Sequence, residues 1–395
     1  MKTESLDRLL KEIVEKTDCA GNGLVVYRDG ECIYERAEGM ALLEENRAMT
    51  VDTLFRIYSV TKVVTVVAAL QLYEQGLFTL DTPVSEFLPS FRDMVVCDTD
   101  PRGDTVLRPS KNPLLMRHLF SQTSGITSKG YSSTSICGQY HKIVYDELVE
   151  RTGGKFTIKD MVDGIARTPL AFDPGTHFHY GSSFEVLARI VEVLSGQTFG
   201  EYLKKNIFDP LCMSDTAFRM PDDVLKSRLC GYYKTEEGKL VLQDADENYR
   251  EDATFEAASG GLLSTMHDVA KFGSALACGI FNGVRILKDE TVWLMRQNFL
   301  EGDALYDFDT RYRSHGMDFK GYGYGLGVRT LLDPVKAGTI ANPGEFGWYG
   351  MTGNLLIVDQ NEGLCAVYLH QTAPFNGKDI FAKVRDTVYA SLDED

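Results

Sequence analysis

The 395-residue sequence lacks the features that mark membrane, exported and nucleic-acid-binding proteins. It has no apolar run long enough to cross a bilayer, and its charged start, MKTESLDRLLKEIVEKTDCAGNG, contains no apolar signal core. Positive charge is also scarce, since 41 Lys and Arg residues face 57 Asp and Glu residues, for a formal net charge of −16. Because this charge disfavours polyanions, we expect no nucleic acid and no membrane as partners, and a cytoplasmic location.

The motifs of several enzyme classes are missing as well. There is no G-x-S-x-G nucleophile elbow, no H-E-x-x-H zinc motif and no phosphate-cradling glycine loop. The eight cysteines form no C-x-x-C pair, and the seven histidines do not cluster at ligand spacing. We therefore expect no metal and no cofactor, and free, mostly buried thiols in a reducing compartment.

Strand patterns occur near both ends of the chain. GLVVYRDGECIYERA is typical of a hairpin that turns at Asp29-Gly30. The last quarter holds three further candidates, YGYGLGVRTLL, NLLIVD and LCAVYLHQ, with a turn at DQNEG between the last two. The order predicts an antiparallel sheet built from both termini.

Helical patterns fill the middle of the chain and flank the strands. The periodicity predicts helices at the amino terminus, from about 59 to 75, from about 182 to 195, from near 265 and from about 378 to 392. The fold class that follows is α+β, an α/β sandwich whose sheet is flanked by helices. We expect an α/β sheet domain from residues 1–80 and 226–395, with a mainly helical domain at 81–225.

One lysine lies inside the apolar stretch FRIYSVTKVV. On a helix, Ser59 and Lys62 are three residues apart and therefore neighbours. A serine hydroxyl needs a nearby base to act as a nucleophile, and desolvation lowers the pKa of a lysine by up to about 3–5 units from about 10.4. A helix amino terminus also favours a developing oxyanion.

Two structural explanations compete with this catalytic interpretation. A serine at a helix start is commonly an N-cap, and a lysine beside apolar residues commonly extends to the surface. The S-x-x-K pattern is short, and roughly one match arises by chance in a chain of this size. The residues alone leave both interpretations open.

Four segments in order carry a resemblance to a known family: FRIYSVTKVVT, MRHLFSQTSGI, FDPGTHFHYGSSFEVLARIVEVLSG and AASGGLLSTMHDVAKF. Together they resemble the serine beta-lactamase-related family, and more closely its class C beta-lactamase-like esterases, penicillin-binding-protein homologues and family VIII carboxylesterases. The resemblance extends over nearly the whole chain. It implies a serine beta-lactamase-like fold.

The resemblance also implies three catalytic elements. Ser59 and Lys62 match the S-x-x-K nucleophile and its base partner. Tyr180 matches the tyrosine of the Y-x-N motif and would assist proton transfer. Trp348-Tyr349-Gly350 matches the K-T-G or H-x-G triplet of an edge strand, and the family's oxyanion hole would combine the N–H groups of Ser59 and Met351.

The sequence departs from the family pattern at two positions. Ser182 replaces the usual asparagine and begins the capping box Ser182-Ser183-Phe184-Glu185, so its role is either substrate binding or capping of a helix. Trp348 stands where penicillin-recognising members carry a lysine, and it has no charge with which to bind a carboxylate. We expect Trp348, Tyr349 and part of residues 301–321 to line the pocket, unless Trp348 only packs its strand.

These observations predict a serine hydrolase that cleaves a carboxylic ester or a related small-molecule acyl compound through a Ser59 acyl-enzyme. A beta-lactamase or D-amino-acid-specific peptidase is the first alternative, and the absent cation at position 348 speaks against it. Acyl transfer to an alcohol or amine is chemically open to the same site. A non-catalytic scaffold of the same fold is the remaining alternative, and the sequence leaves the oligomeric state open.

Overall fold

The chain alternates short strands and helices over the residues that the computed structural model describes, which are 1–100, 102, 104–128, 136–243, 247–311, 318–373 and 377–392. The helices in this part are α1 (Glu4–Lys16), α2 (Thr61–Glu74), α3 (Met116–Phe120), α4 (Ile136–Thr152), α5 (Ile158–Ile165), α6 (Ser183–Ser195), α7 (Phe199–Leu203), α8 (Asp222–Arg228), α9 (Met266–Cys278), α10 (Asp289–Met295), α11 (Gly302–Tyr306), α12 (Pro334–Ala337) and α13 (Gly377–Ser391). None of them is both long and apolar enough to cross a membrane.

Within the described residues, the strands assemble into one large sheet and three small ones. They are β1 (Gly21–Arg28), β2 (Glu31–Leu42), β3 (Arg47–Ala48), β4 (Phe55–Arg56), β5 (Val95–Thr99), β6 (Thr105–Pro109), β7 (Tyr232–Glu236), β8 (Lys239–Gln243), β9 (Leu263–Ser264), β10 (Tyr322–Tyr324), β11 (Arg329–Leu331), β12 (Phe346–Tyr349), β13 (Leu355–Asp359), β14 (Leu364–His370) and β15 (Thr372–Ala373). The large sheet is antiparallel, in the order β10-β11-β12-β13-β14-β1-β2-β3. The predicted α+β class and its antiparallel sheet are confirmed.

The two ends of the chain meet in the middle of this sheet, where β1 pairs with β14 over seven residue pairs. Every residue of β13 and β14 is buried, which means that both faces of the sheet are covered there. Helix α9 packs on β1, β13 and β14, while α1 packs on β1 and β2 and contacts α13. The predicted hairpin is confirmed, because Asp29 and Gly30 both have positive φ angles, of 53° and 82°, as a two-residue turn with the twist of the strands requires.

The prediction of a single strand over YGYGLGVRTLL is wrong. The segment forms the two strands β10 and β11, which pair with each other across the turn between them. Gly327 has a φ of +76°, and a Cβ at Gly325 would lie 2.2 Å from the carbonyl oxygen of Met295. Close backbone contact and a left-handed conformation therefore break the strand at these glycines.

Residues 81–225 contain α3 to α7 and the start of α8, and the β5–β6 pair supplies the named strands of this range in the described part of the chain. This content agrees with a mainly helical segment, and the division into two domains stays a prediction. All eight cysteines are free thiols. Four of them are buried, whereas Cys32 and Cys212 are exposed, so the expectation of mostly buried thiols holds only in part.

Helix α2 runs through the core instead of lying on its surface. All ten residues from Thr61 to Leu70 are buried, including the polar residues Thr61 and Thr65. Their hydroxyls bond to a neighbouring segment: Thr65 Oγ1 donates to the carbonyl oxygen of Ala258, and Thr61 Oγ1 accepts from the N–H of Leu262. A helix that is buried all round holds its side chains rigidly, which suits the support of a reactive group.

Candidate active site

Ser59 lies in a short 3₁₀ turn, Tyr58–Val60, between β4 and the start of α2. Tyr58, the residue before it, has a φ of +44°. A bulky side chain in the left-handed region costs roughly 1–2 kcal/mol, and such strain concentrates at functional sites because the surrounding structure must maintain it. The sharp turn leaves Ser59 partly exposed while its neighbour Val60 is buried.

Lys62 is buried beside this serine, with an exposed fraction of 3%. Its Nζ atom lies 3.1 Å from Ser59 Oγ and donates to the carbonyl oxygen of Ser259 at 2.5 Å. The same atom is 4.6 Å from the centre of the Tyr180 ring. The structural explanation for this lysine, that it extends to the surface, is wrong. The Ser59 side chain meets the lysine one turn along the chain.

Tyr180 lies on the loop that leads into α6, and this loop is bonded to residues 122–127. Gln122 accepts from the His179 N–H through its carbonyl oxygen and from the Gly181 N–H through its side chain, at 2.9 and 3.0 Å. A Cβ at Gly181 would lie 2.0 Å from the carbonyl oxygen of Ile126, so only glycine permits this approach. The segment SQTSGIT therefore fixes the position of Tyr180.

The capping explanation for Ser182 is wrong. Its side chain makes no capping hydrogen bond to α6, and its backbone, with φ −88° and ψ 22°, is outside the extended region that N-cap residues adopt. Glu185, the other half of the expected box, accepts instead from the N–H groups of Ala258 and Ser259. Ser182 is buried, with its N–H bonded to the carbonyl oxygen of Thr127, and its role toward a substrate stays a prediction.

The end of β12 approaches the nucleophile through Gly350. A Cβ at this position would lie 3.0 Å from the carbonyl oxygen of Ile57, two residues before Ser59. Met351 follows in a turn and is partly exposed, and no described residue accepts a hydrogen bond from its N–H. The place of the Met351 N–H in an oxyanion hole stays a prediction.

A buried polar network joins the turn after β12 to the strand that carries Ser59. The carbonyl oxygen of Arg56 accepts from Asn354 Nδ2 at 2.8 Å and from Gln371 Nε2 at 3.0 Å. Gln371 Nε2 also lies 2.9 Å from Thr352 Oγ1. Because every member is buried, the network fixes the distance between the two segments.

Trp348 supports Tyr180 from within an aromatic cluster. Its Nε1–H donates to the Tyr180 hydroxyl at 2.9 Å, and the two rings stack with centres 5.4 Å apart. Phe319 stacks on both aromatic rings of the triplet, with its ring centre 6.0 Å from those of Trp348 and Tyr349.

The two aromatic side chains of the triplet are buried. Trp348 and Tyr349 are 0% and 2% exposed, so neither presents an exposed apolar surface of the kind expected for residues that line a pocket. The stretch 301–321 does reach the site region through Phe308 and Phe319, while its residues 312–317 lie outside the described part. Its contribution to a pocket wall stays a prediction.

Two histidines, His177 and His179, precede Tyr180 in the same loop. Burial lowers the pKa of His179 to about 4, and His177 Nδ1 bonds to Asp307 at 2.7 Å. Elsewhere, Cys32, Glu35 and His267 on β2 and α9 bring three potential metal ligands within 4.8 Å of one another at the surface. None of these three has a hydrogen bond to Ser59, Lys62 or Tyr180 among the contacts of the described residues.

A model of the family described as "Beta-lactamase" matches residues 6–390. The chain belongs to the beta-lactamase family. Esterase EstB of Burkholderia gladioli is 27% identical over 407 residues, which cover 98% of this chain and 94% of the esterase. Monacolin J acid methylbutanoyltransferase of Aspergillus terreus is 24% identical, with 97% and 92% covered.

The fold is also that of a solved structure in this group. EstCE1, described as a hydrolase with promiscuous acyltransferase activity, superposes with a TM-score of 0.80 at 23% identity over 98% of both chains. The suspected resemblance to the serine beta-lactamase-related family and the expected fold are thus confirmed. With esterases and acyltransferases among its relatives, the chain is a serine hydrolase of this family.

Proposed function

We propose that this enzyme transfers an acyl group from an uncharged carboxylic ester to Ser59 and then to water. The observation that carries the proposal is the contact of 3.1 Å between Ser59 Oγ and the Nζ atom of Lys62, a lysine whose exposed fraction is only 3%. Lys62 Nζ accepts the Ser59 proton while Oγ attacks the ester carbonyl. A general base at hydrogen-bond distance contributes about 10²- to 10⁴-fold to such a step.

The remaining groups act on the tetrahedral intermediate. The N–H groups of Ser59 and Met351 stabilise its oxyanion, and Tyr180 gives its hydroxyl proton to the departing alcohol as the bond between carbon and the alcohol oxygen breaks. Lys62, 4.6 Å from the Tyr180 ring centre, returns the proton to the tyrosine. Water then attacks the acyl carbon of the Ser59 acyl-enzyme, the bond from that carbon to Ser59 Oγ breaks, and the acid and the free Ser59 hydroxyl are released.

The charge of the site favours an ester over a beta-lactam. Family members that bind a substrate carboxylate hold a cation where this chain holds Trp348, which is neutral, buried and bonded to Tyr180. The esterase and acyltransferase names of the relatives support the same choice. Acyl transfer to an alcohol in place of water is a second candidate, because one relative is named a methylbutanoyltransferase and an alcohol can take the place of water in the second step.

Purified wild type, Ser59→Ala and Ser227→Ala should be compared on a nitrophenyl ester and on a chromogenic cephalosporin. Ser227 is an exposed serine on α8 and serves as the matched control. We expect Ser59→Ala to lose on the order of 10⁴-fold in kcat on the ester, Ser227→Ala to keep it, and the cephalosporin to turn over far more slowly. Full ester activity in Ser59→Ala would refute the proposed mechanism.

A further inference from the structure

Glu185 is a buried carboxylate in the first turn of α6, with an exposed fraction of 5%. Its two oxygens accept hydrogen bonds from successive backbone N–H groups, that of Ala258 at 2.9 Å and that of Ser259 at 3.0 Å. No salt bridge to Glu185 occurs among the described residues. A buried carboxylate without an ion pair is costly, so a structure that retains one requires a reason.

The segment bound by Glu185 is the one that binds Lys62. Ser259 gives its N–H to Glu185 and its carbonyl oxygen to Lys62 Nζ, at 2.5 Å. The carbonyl oxygen of the preceding residue, Ala258, accepts from Thr65 Oγ1 at 2.8 Å. The dipeptide is therefore fixed on one side by α6 and on the other by α2, next to the nucleophile.

We propose that Glu185 is a positioning residue for the proposed reaction: through the Ala258–Ser259 backbone it fixes the carbonyl group that holds Lys62 within hydrogen-bond distance of Ser59. This inference rests on the proposed function of Ser59 and Lys62. Without the carboxylate, the two N–H groups lose their acceptor, and the Ser259 carbonyl oxygen is free to turn away from Lys62. Misplacement by about 1 Å of a group that positions the reacting atoms can cost on the order of 10²-fold in rate.

Burial raises the pKa of Glu185, and the hydrogen bonds from Ser259 and Ala258 and the positive charge of Lys62 act against that rise. Lys62 Nζ also faces the ring of Tyr180, at 4.6 Å from its centre.

The test compares Glu185→Gln with Asp268→Asn. Asp268 is a matched control, since it is a buried carboxylate that accepts from a backbone N–H, that of Asp215 at 2.8 Å, and that contacts a lysine, Lys271. The kcat and KM values for the nitrophenyl ester are measured together with thermal unfolding. For Glu185→Gln we expect kcat to fall roughly 10- to 100-fold with little change in KM. Asp268→Asn should keep the kcat of the wild type, because Asp268 has no hydrogen bond to Ala258 or Ser259 among the described residues.

Each result separates a positioning role from a structural one. A wild-type kcat in Glu185→Gln, or an equal loss of kcat in Asp268→Asn, would overturn the proposal. If Glu185→Gln does not fold, Glu185→Asp takes its place, with the charge kept and its position changed. It should then lower kcat at an unchanged KM, and a wild-type kcat would overturn the proposal. Loss of all activity in Ser59→Ala, measured alongside, shows that a failure concerns Glu185 and not the proposed function.

Discussion

Replacement of Trp348 by Phe removes one hydrogen bond and retains an aromatic ring in the cluster. The lost bond is the 2.9 Å contact from Nε1 to the Tyr180 hydroxyl. Because Trp348 is 0% exposed, water does not take the place of its N–H without a rearrangement of the neighbouring rings. The Tyr180 hydroxyl then loses the hydrogen bond that Trp348 donates to it, and with it one restraint on its orientation.

The expected magnitude follows from that bond. A neutral hydrogen bond contributes about 0.5–1.5 kcal/mol net, which corresponds to a loss of roughly 2- to 10-fold in kcat if the bond is needed in the transition state. The smaller ring also leaves space in a packed core, and it should destabilise the protein by part of the roughly 3–5 kcal/mol that a full truncation to alanine costs. The rate effect should appear in kcat, since Trp348 has no exposed surface with which to contact a substrate.

Ester hydrolysis at saturating substrate, together with urea unfolding, checks this prediction. Tyr324→Phe is the matched control: its ring meets the Trp348 ring edge to face at 5.1 Å, and its buried hydroxyl has no hydrogen-bond partner among the described residues. Loss of that hydroxyl should leave kcat unchanged and the free energy of unfolding equal or higher. A wild-type kcat in folded Trp348→Phe would refute the idea that Trp348 acts through Tyr180.

Three further predictions concern the base, the oxyanion turn and acid stability. Lys62→Met keeps an unbranched side chain without the amine, and kcat should fall about 10²- to 10⁴-fold while circular dichroism shows a folded protein; an active variant would exclude Lys62 as the base. Gly350→Ala places a Cβ 3.0 Å from the Ile57 carbonyl oxygen and should lower kcat roughly 10- to 100-fold at similar KM, whereas an unchanged kcat would mean that the turn after β12 takes no part. Burial lowers the pKa of His370 to about 3. The contribution of His370 to stability is therefore complete above the unfolded pKa of about 6.5. Below that value the unfolded state binds a proton that the folded state does not, so stability falls with pH, by about 2 kcal/mol at pH 5. In His370→Gln, the difference in unfolding free energy between pH 7 and pH 5 should shrink by that amount, and an unchanged difference would contradict it.

Local patterns were enough to predict much of this fold. The turn at Asp29-Gly30 and the glycines after α2 and α6 are visible in the sequence, because positive φ angles favour these residue types. The same logic missed the break at Gly325 and Gly327, where the cause is contact with Met295, thirty residues away in the chain. Alternation of residue types cannot reveal such a contact.

The candidate site shows the same limit. Ser59 and Lys62 are neighbours in sequence, so their contact was predictable from helix geometry. The partners that place them were not: Ser259 is 197 residues from Lys62, and Glu185 appeared only as half of a capping box. The left-handed backbone of Tyr58 was also invisible, because no local preference favours a tyrosine there. The cytoplasmic location and the absence of a cofactor stay predictions.

The central claim is that a buried amine makes the Ser59 hydroxyl a nucleophile. The most direct measurement is mass spectrometry of the protein after treatment with a fluorophosphonate, with peptide mapping of the adduct. We expect one adduct, on Ser59, in the wild type and a strongly slowed reaction in Lys62→Met. No adduct on the wild type, or an adduct on another residue with Ser59 unmodified, would contradict the claim.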